Sequence, residues 1–236
     1  MANGQIGVLL AYASARGHAL LDRALSLSKE WTTDRARCLQ AGMPQERACA
    51  TQPALARCML ERAFRAGVPV SWVTGDRVYG DDRRLRMWLE AHERAYVLAV
   101  SGQEDVWLGW RQRQVQTILA ALPADDWARH SAGAGAQGPR WYAWGRLPRA
   151  APMRPAWRRW LLVRRSVSDP TELTAFVVFA PQATTLAEVV QTAGTRWTLE
   201  RVVKRRKAKA VWITTRSGVG RAGIAISPWP CGPMRC

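Results

Sequence analysis

Cysteine and histidine are scarce in this 236-residue sequence, with five of the first and three of the second. Cys38, Cys49, Cys58, Cys231 and Cys236 contain no C-x-x-C pair, and His18, His92 and His130 are too few to build a zinc-ligand cluster. The cysteines are read as reduced, buried thiols. No apolar run approaches the roughly 18 residues that a membrane span requires. The start, Met-Ala-Asn-Gly-Gln, lacks the basic-then-apolar layout of a signal peptide. The expectation is a cytoplasmic protein with no membrane contact. The sequence shows no internal repeat, no heptad pattern, no nucleophile triad and no Gly-rich phosphate loop.

Acids are also few: 18 against 35 lysines and arginines, a net charge of +17. A surplus of this size invites polyanion binding, because a basic surface gains affinity for phosphate by releasing condensed counterions. Its distribution is uneven. Residues 204–236 hold eight basic side chains and no acid, leaving 27 basic against 18 acidic residues in 1–203, a balance of +9. Paired sites at Arg83-Arg84, Arg158-Arg159 and Arg164-Arg165 lie in that body. The length and 48% hydrophobic content suit one large domain, or a core with an insertion.

Along the chain, Gln5 to Ala13 reads as a buried strand and Gly17 to Leu27 as its hairpin partner, and residues 28–50 read as an ordered loop. Thr51 caps a helix with Pro53 in its first turn and Leu55, Met59, Leu60 and Ala63 on one face; Gly67-Val-Pro69 ends it. Val70 to Thr74 is a strand, about Asp81 to Glu93 a helix, and Tyr96 to Val100 the next strand. Residues 102–124 suggest one helix, and Ser131 to Gly138 a flexible connector. Trp141 to Trp144, Trp157 to Val163 and Leu173 to Phe179 read as antiparallel strands. A helix follows from Leu186 to Glu200. Strands alternating with helices make this an α/β pattern.

Two carboxylates stand out. Glu200 falls about 40° from the first member of the apolar stripe Leu186, Val189, Val190, Ala193 and Trp197. A carboxylate aimed at a core either snorkels or meets an arginine as the helix ends, or it ligates a metal that offsets its burial. Asp76 follows Gly75 at the carboxyl end of a strand, where α/β sheets usually hold ligands. It reads either as an ordinary Asx cap or as a second metal ligand.

Several blocks resemble one family: Gly7 to Ser14 with Gly17 to Arg23, Val73-Thr-Gly-Asp-Arg-Val-Tyr-Gly80, Tyr96 to Val100, Trp160 to Ser166, and Gly194-Thr-Arg-Trp-Thr-Leu-Glu200. In this order they look like the DDE transposases of bacterial insertion sequences, the type numbered seven hundred and one, from about residue 5 to 203. The resemblance implies an α/β, RNase H-like mixed sheet with flanking helices and a β-rich insertion. The implied activity is DNA strand cleavage and transfer at transposon ends and target DNA, using magnesium or manganese, with an oligomer possible in the intact family. It makes Asp76 and Glu200 catalytic ion ligands. Arg196 and Lys207 match the family's signature spacing around the glutamate as phosphate contacts, since a helix extended that far brings both within about 40° of Glu200. The implied division is 1–101 for the first part of the core, 102–180 for the insertion, 181–203 for the glutamate helix and 204–236 for a disordered tail.

The sequence departs from the family at several points. Ala193 replaces the signature tyrosine, and Arg77 stands where relatives often carry an acid. The family's first aspartate belongs on a strand ahead of Gln5, and only Met-Ala-Asn-Gly precede it in this sequence. A triad without that member should bind two ions weakly and catalyse little. Read in the shifted frame, codons permitted for Val203 to Cys236 can spell a helix-forming peptide that resembles the family's continuation. The tail is therefore expected to be a frameshift product without selected structure, with Lys207 a lysine in both frames. These readings make the chain a truncated, inactive transposase copy. The rivals are a non-catalytic basic DNA-binding protein and a solvated α/β domain whose arginines reflect base composition.

Overall fold

The structure is a computed structural model that describes residues 6–14, 17–26, 51–123, 126–135, 138–149, 155–203 and 208–214; for 135, 196–203 and 208–212 it gives the backbone path. The expected opening hairpin is present as β1 (Ile6–Ser14) and β2 (Gly17–Ser26), antiparallel with a bulge between Leu10 and Ala11. The loop expected over 28–50 lies outside the described residues. Helix α1 (Gln52–Arg65) begins where Thr51 accepts the Ala54 N–H at 3.3 Å, and it buries Leu55, Ala56, Met59, Leu60 and Ala63. Arg62 on its flank grips Asp22 of β2 through Nε at 3.1 Å and Nη2 at 2.6 Å. Cys58, expected as a reduced, buried thiol, is disulfide-bonded and only half-buried on α1.

Strand β3 (Trp72–Gly75) is wholly buried and leads through the short helix α2 (Arg77–Gly80) into α3 (Arg83–Ala91). The helix expected from about Asp81 to Glu93 is present as α3, capped by Asp82, and the turn expected after Gly75 holds the additional short α2, capped by Asp76. Strand β4 (Tyr96–Val100) pairs parallel with β3. Residues 102–124 depart further from expectation. They form a hairpin, β5 (Asp105–Leu108) and β6 (Arg111–Gln114), followed by a short α4 (Val115–Ala120). The polar run Arg111-Gln-Arg-Gln114 carries no apolar alternation, so pairing with β5 rather than local pattern makes it a strand.

The described residues of the connector expected at 131–138 are also strand, 131–135 in one and 138 in the next. β7 (Ala128–Gly135) pairs with β8 (Gly138–Pro148), then β9 (Trp157–Ser166) and β10 (Leu173–Pro181), all antiparallel. These strands extend the main sheet, because β10 pairs with β4. Helix α5 (Leu186–Val203) starts with a capping box in which Thr185 Oγ1 accepts the Glu188 N–H and Glu188 Oε2 accepts the Thr185 N–H. Its Val189, Val190 and Ala193 are buried, as the stripe required.

The tail expected to be structureless contributes β11 (Ala208–Thr214). It lies in the middle of the nine-stranded order β2-β1-β11-β3-β4-β10-β9-β8-β7, parallel to β1 and antiparallel to β3. The facing edges of β1 and β3 would otherwise present unpaired N–H and C=O groups, and Val-Trp-Ile-Thr suits a pleated, buried surface. Alternation along β4 splits the core. Tyr96, Leu98 and Val100 face α1, α3 and α4, whereas Val97 and Ala99 face α5 and β8.

Candidate functional site

The carboxyl ends of β3 and β4 leave the same edge of the sheet, because the strands are parallel and in register from Val73 opposite Tyr96 to Gly75 opposite Leu98. Asp76 stands at that edge, half-buried, and its Oδ1 accepts the Val78 N–H at 3.0 Å. The capping reading of Asp76 is thus realised, and the cap fixes the orientation of its carboxylate. Helix α2 is drawn hard against β4. A Cβ on Gly80 would lie 1.8 Å from the Ala99 carbonyl oxygen, so only glycine permits this approach. Asp81 Oδ1 accepts the Ser101 N–H at 2.9 Å, which ties the turn after α2 to the end of β4.

Tyr79 is a member of this edge that the sequence reasoning assigned no role. Its ring packs over Gly75, whose Cβ would meet it at 3.0 Å, and the side chain is fully buried. Burial raises its pKa well above the usual phenol value, and the Asp76 charge adds to the shift. Its hydroxyl has no hydrogen-bond partner among the described residues. The only sequence signal was its place three residues after the aspartate.

Arg196 and Glu200 lie in the last turns of α5, helical as expected, with side chains outside the described residues. Lys207 lies outside them altogether. Since α5 ends at Val203 and a strand begins at Ala208, the helix wheel that aligned Lys207 with Glu200 does not carry over. Helix α5 touches both β3 and β11, the strand of Asp76 and its neighbour. Gly194 lets the helix press against β7, where a Cβ would stand 2.0 Å from the Ala132 carbonyl oxygen.

Two divalent ions about 4 Å apart need several carboxylates around them. Among the described residues no group of three His, Cys, Asp or Glu side chains converges. The strands flanking β3 are Ala-Lys-Ala-Val-Trp-Ile-Thr and Tyr-Val-Leu-Ala-Val, neither with an acid. The described donor set therefore does not fit a two-ion centre.

Arginines stack on aromatic rings along the outer strands β7, β8 and β9. Arg165 lies 4.2 Å above the Trp127 ring centroid, Arg164 4.6 Å above Tyr142, Arg146 4.9 Å above Trp160 and Arg129 5.4 Å above Trp141. Arg129, exposed, and Arg165, half-buried, can present stacked guanidinium donors in a plane that matches phosphate, whereas Arg164 is buried and donates to Thr174 Oγ1 at 2.8 Å and Arg146 donates to the Thr184 carbonyl at 3.1 Å. No described helix is long and apolar enough to cross a membrane.

A family model for DDE superfamily endonucleases matches residues 1–160. The matched stretch contains Asp76 and its supporting turn, and it stops short of Arg196, Glu200 and Lys207. No curated protein matches the chain. Endonucleases of this superfamily act on DNA and generally use divalent metals. With more than half of its length matched, and with a mixed α/β sheet of the RNase H-like kind flanked by helices, the chain belongs to the DDE superfamily endonucleases.

Proposed function

We propose that this chain is a DDE transposase of the insertion-sequence kind that holds transposon-end and target DNA in the cytoplasm and cleaves it little or not at all. In an intact relative Asp76 and Glu200 would ligate magnesium or manganese, and Arg196 and Lys207 would hold phosphate. Such a relative attacks with water or a 3′-hydroxyl and needs no protein nucleophile. The observation that carries the reading is Asp76, capped and held at the carboxyl edge of a central strand in a DDE superfamily endonuclease.

The acid-free strands on either side of β3 favour binding without cutting, which is also the reading of a non-catalytic basic DNA-binding protein. The experiment is cleavage and binding of insertion-sequence-end DNA with added magnesium or manganese. Asp76→Asn is the informative variant, because asparagine keeps the cap while removing the charge. Salt-sensitive binding with cleavage at the protein-free background is the expected result. Metal-dependent cleavage that Asp76→Asn abolishes would show a competent ion site instead, and absence of DNA binding would overturn the proposal.

A further inference from the structure

The hairpin β5–β6 combines a locked base with an unsupported tip. At the base, Val106 is fully buried with Val115 and Ile118, and Glu104 meets Arg86 at 2.6 Å with side chains only 17% and 8% exposed. The Val115 N–H donates to the Glu104 carbonyl at 3.0 Å and the Gln116 N–H to the Gly102 carbonyl at 2.8 Å, closing the neck. At the tip, Gly109 turns the chain at a φ of 59°, Trp110 is 97% exposed, Trp107 is 47% exposed, and every residue from Arg111 to Gln114 is exposed.

A tryptophan is the largest apolar side chain a protein can bury, so a bare one on a rigid stalk contributes nothing to the core. Its neighbours define what it suits. From Trp107 to Gln116 there are two arginines, three glutamines and no acid. A partner that offers flat π faces and phosphates together matches that set, and nucleic acid with unpaired bases offers both. In an intact duplex the base faces are already stacked, so an indole can reach one only at a frayed, flipped or single-stranded position. The hairpin also springs from the carboxyl end of β4, the edge that holds Asp76, and the Ser101–Asp81 bond ties the two together.

We infer that Trp110 stacks on an unpaired base of the DNA strand presented at the Asp76 edge, while Arg111 and Arg113 hold its flanking phosphates. The inference rests on the proposed DNA-binding function. Its test separates the two. Binding of the full chain is measured against a blunt duplex and the same duplex with a single-stranded overhang, for wild type, Trp110→Ala and Trp110→Phe.

Wild type should prefer the overhang. Trp110→Ala should lose about 5- to 150-fold on that substrate with blunt-duplex affinity and melting temperature unchanged, and Trp110→Phe should recover much of the loss. An overhang preference that is absent in wild type, or that survives Trp110→Ala, overturns the stacking role while leaving DNA binding intact. Failure of wild type to bind either DNA overturns both.

Discussion

A single hydrogen atom for a side chain decides the shape of the Asp76 edge. Gly80→Ala would drive a methyl group into the Ala99 carbonyl, and backbone on both sides leaves neither group a rotamer to yield. We expect a loss of about 1–3 kcal/mol, read as a fall in melting temperature of roughly 2–12 °C for a domain of this size. An unchanged melt would mean that α2 does not rest on β4. Asp76 was legible because Gly-Asp after a β-branched run marks a strand end. Tyr79 was not: only the fold shows that its ring lies over Gly75, since no local pattern reports what a side chain will cover. Glu200 was placed on its helix by periodicity, and the burial of Val189, Val190 and Ala193 bears out that stripe without reaching the carboxylate.

At the scale of elements, the sequence was most readable where strands are short, apolar and bounded by breakers. Strands β1, β4, β9 and β10 and helix α1 fall within a residue or a few of expectation. Of the strands that escaped, β6 and β7 did so for opposite reasons. β6 is all polar, and the alanine- and glycine-rich β7 offers too few side chains to signal anything, although the close approach of Gly194 to Ala132 is what lets it lie against α5.

The larger surprise is β11. A basic run followed by glycine and proline suggested no structure, yet Ile213 is fully buried between β1 and β3. Ile213→Ala should cost about 2–5 kcal/mol as a large-to-small core change, measured by chemical denaturation. A variant as stable as wild type would return this segment to the structureless tail that the shifted frame implies.

For the molecule as a whole, the question is whether the charge surplus is functional. The body keeps +9 without the tail, and its arginines are partly arrayed over aromatic rings rather than paired with acids. If the surface holds DNA, the logarithm of the binding constant should fall linearly with the logarithm of salt concentration, by about 0.9 for each phosphate contacted on a duplex. A flat salt dependence would assign the arginines to base composition alone. The fold class could be read from the sequence because strands and helices alternate through the first hundred residues; the continuity of the sheet could not, because it depends on a pairing across nearly the entire chain.

That pairing sets an order of assembly. Among the described strands, β1 and β2 join the others only through β11, so the β1–β2 hairpin, once made, must wait for residues about 200 positions later before the sheet can close. At synthesis rates of about 5–20 residues per second, the delay is roughly 10–40 s. For that interval one long edge of β1 stays open, and a nascent chain in this state is a natural client for whatever shields exposed strands during translation.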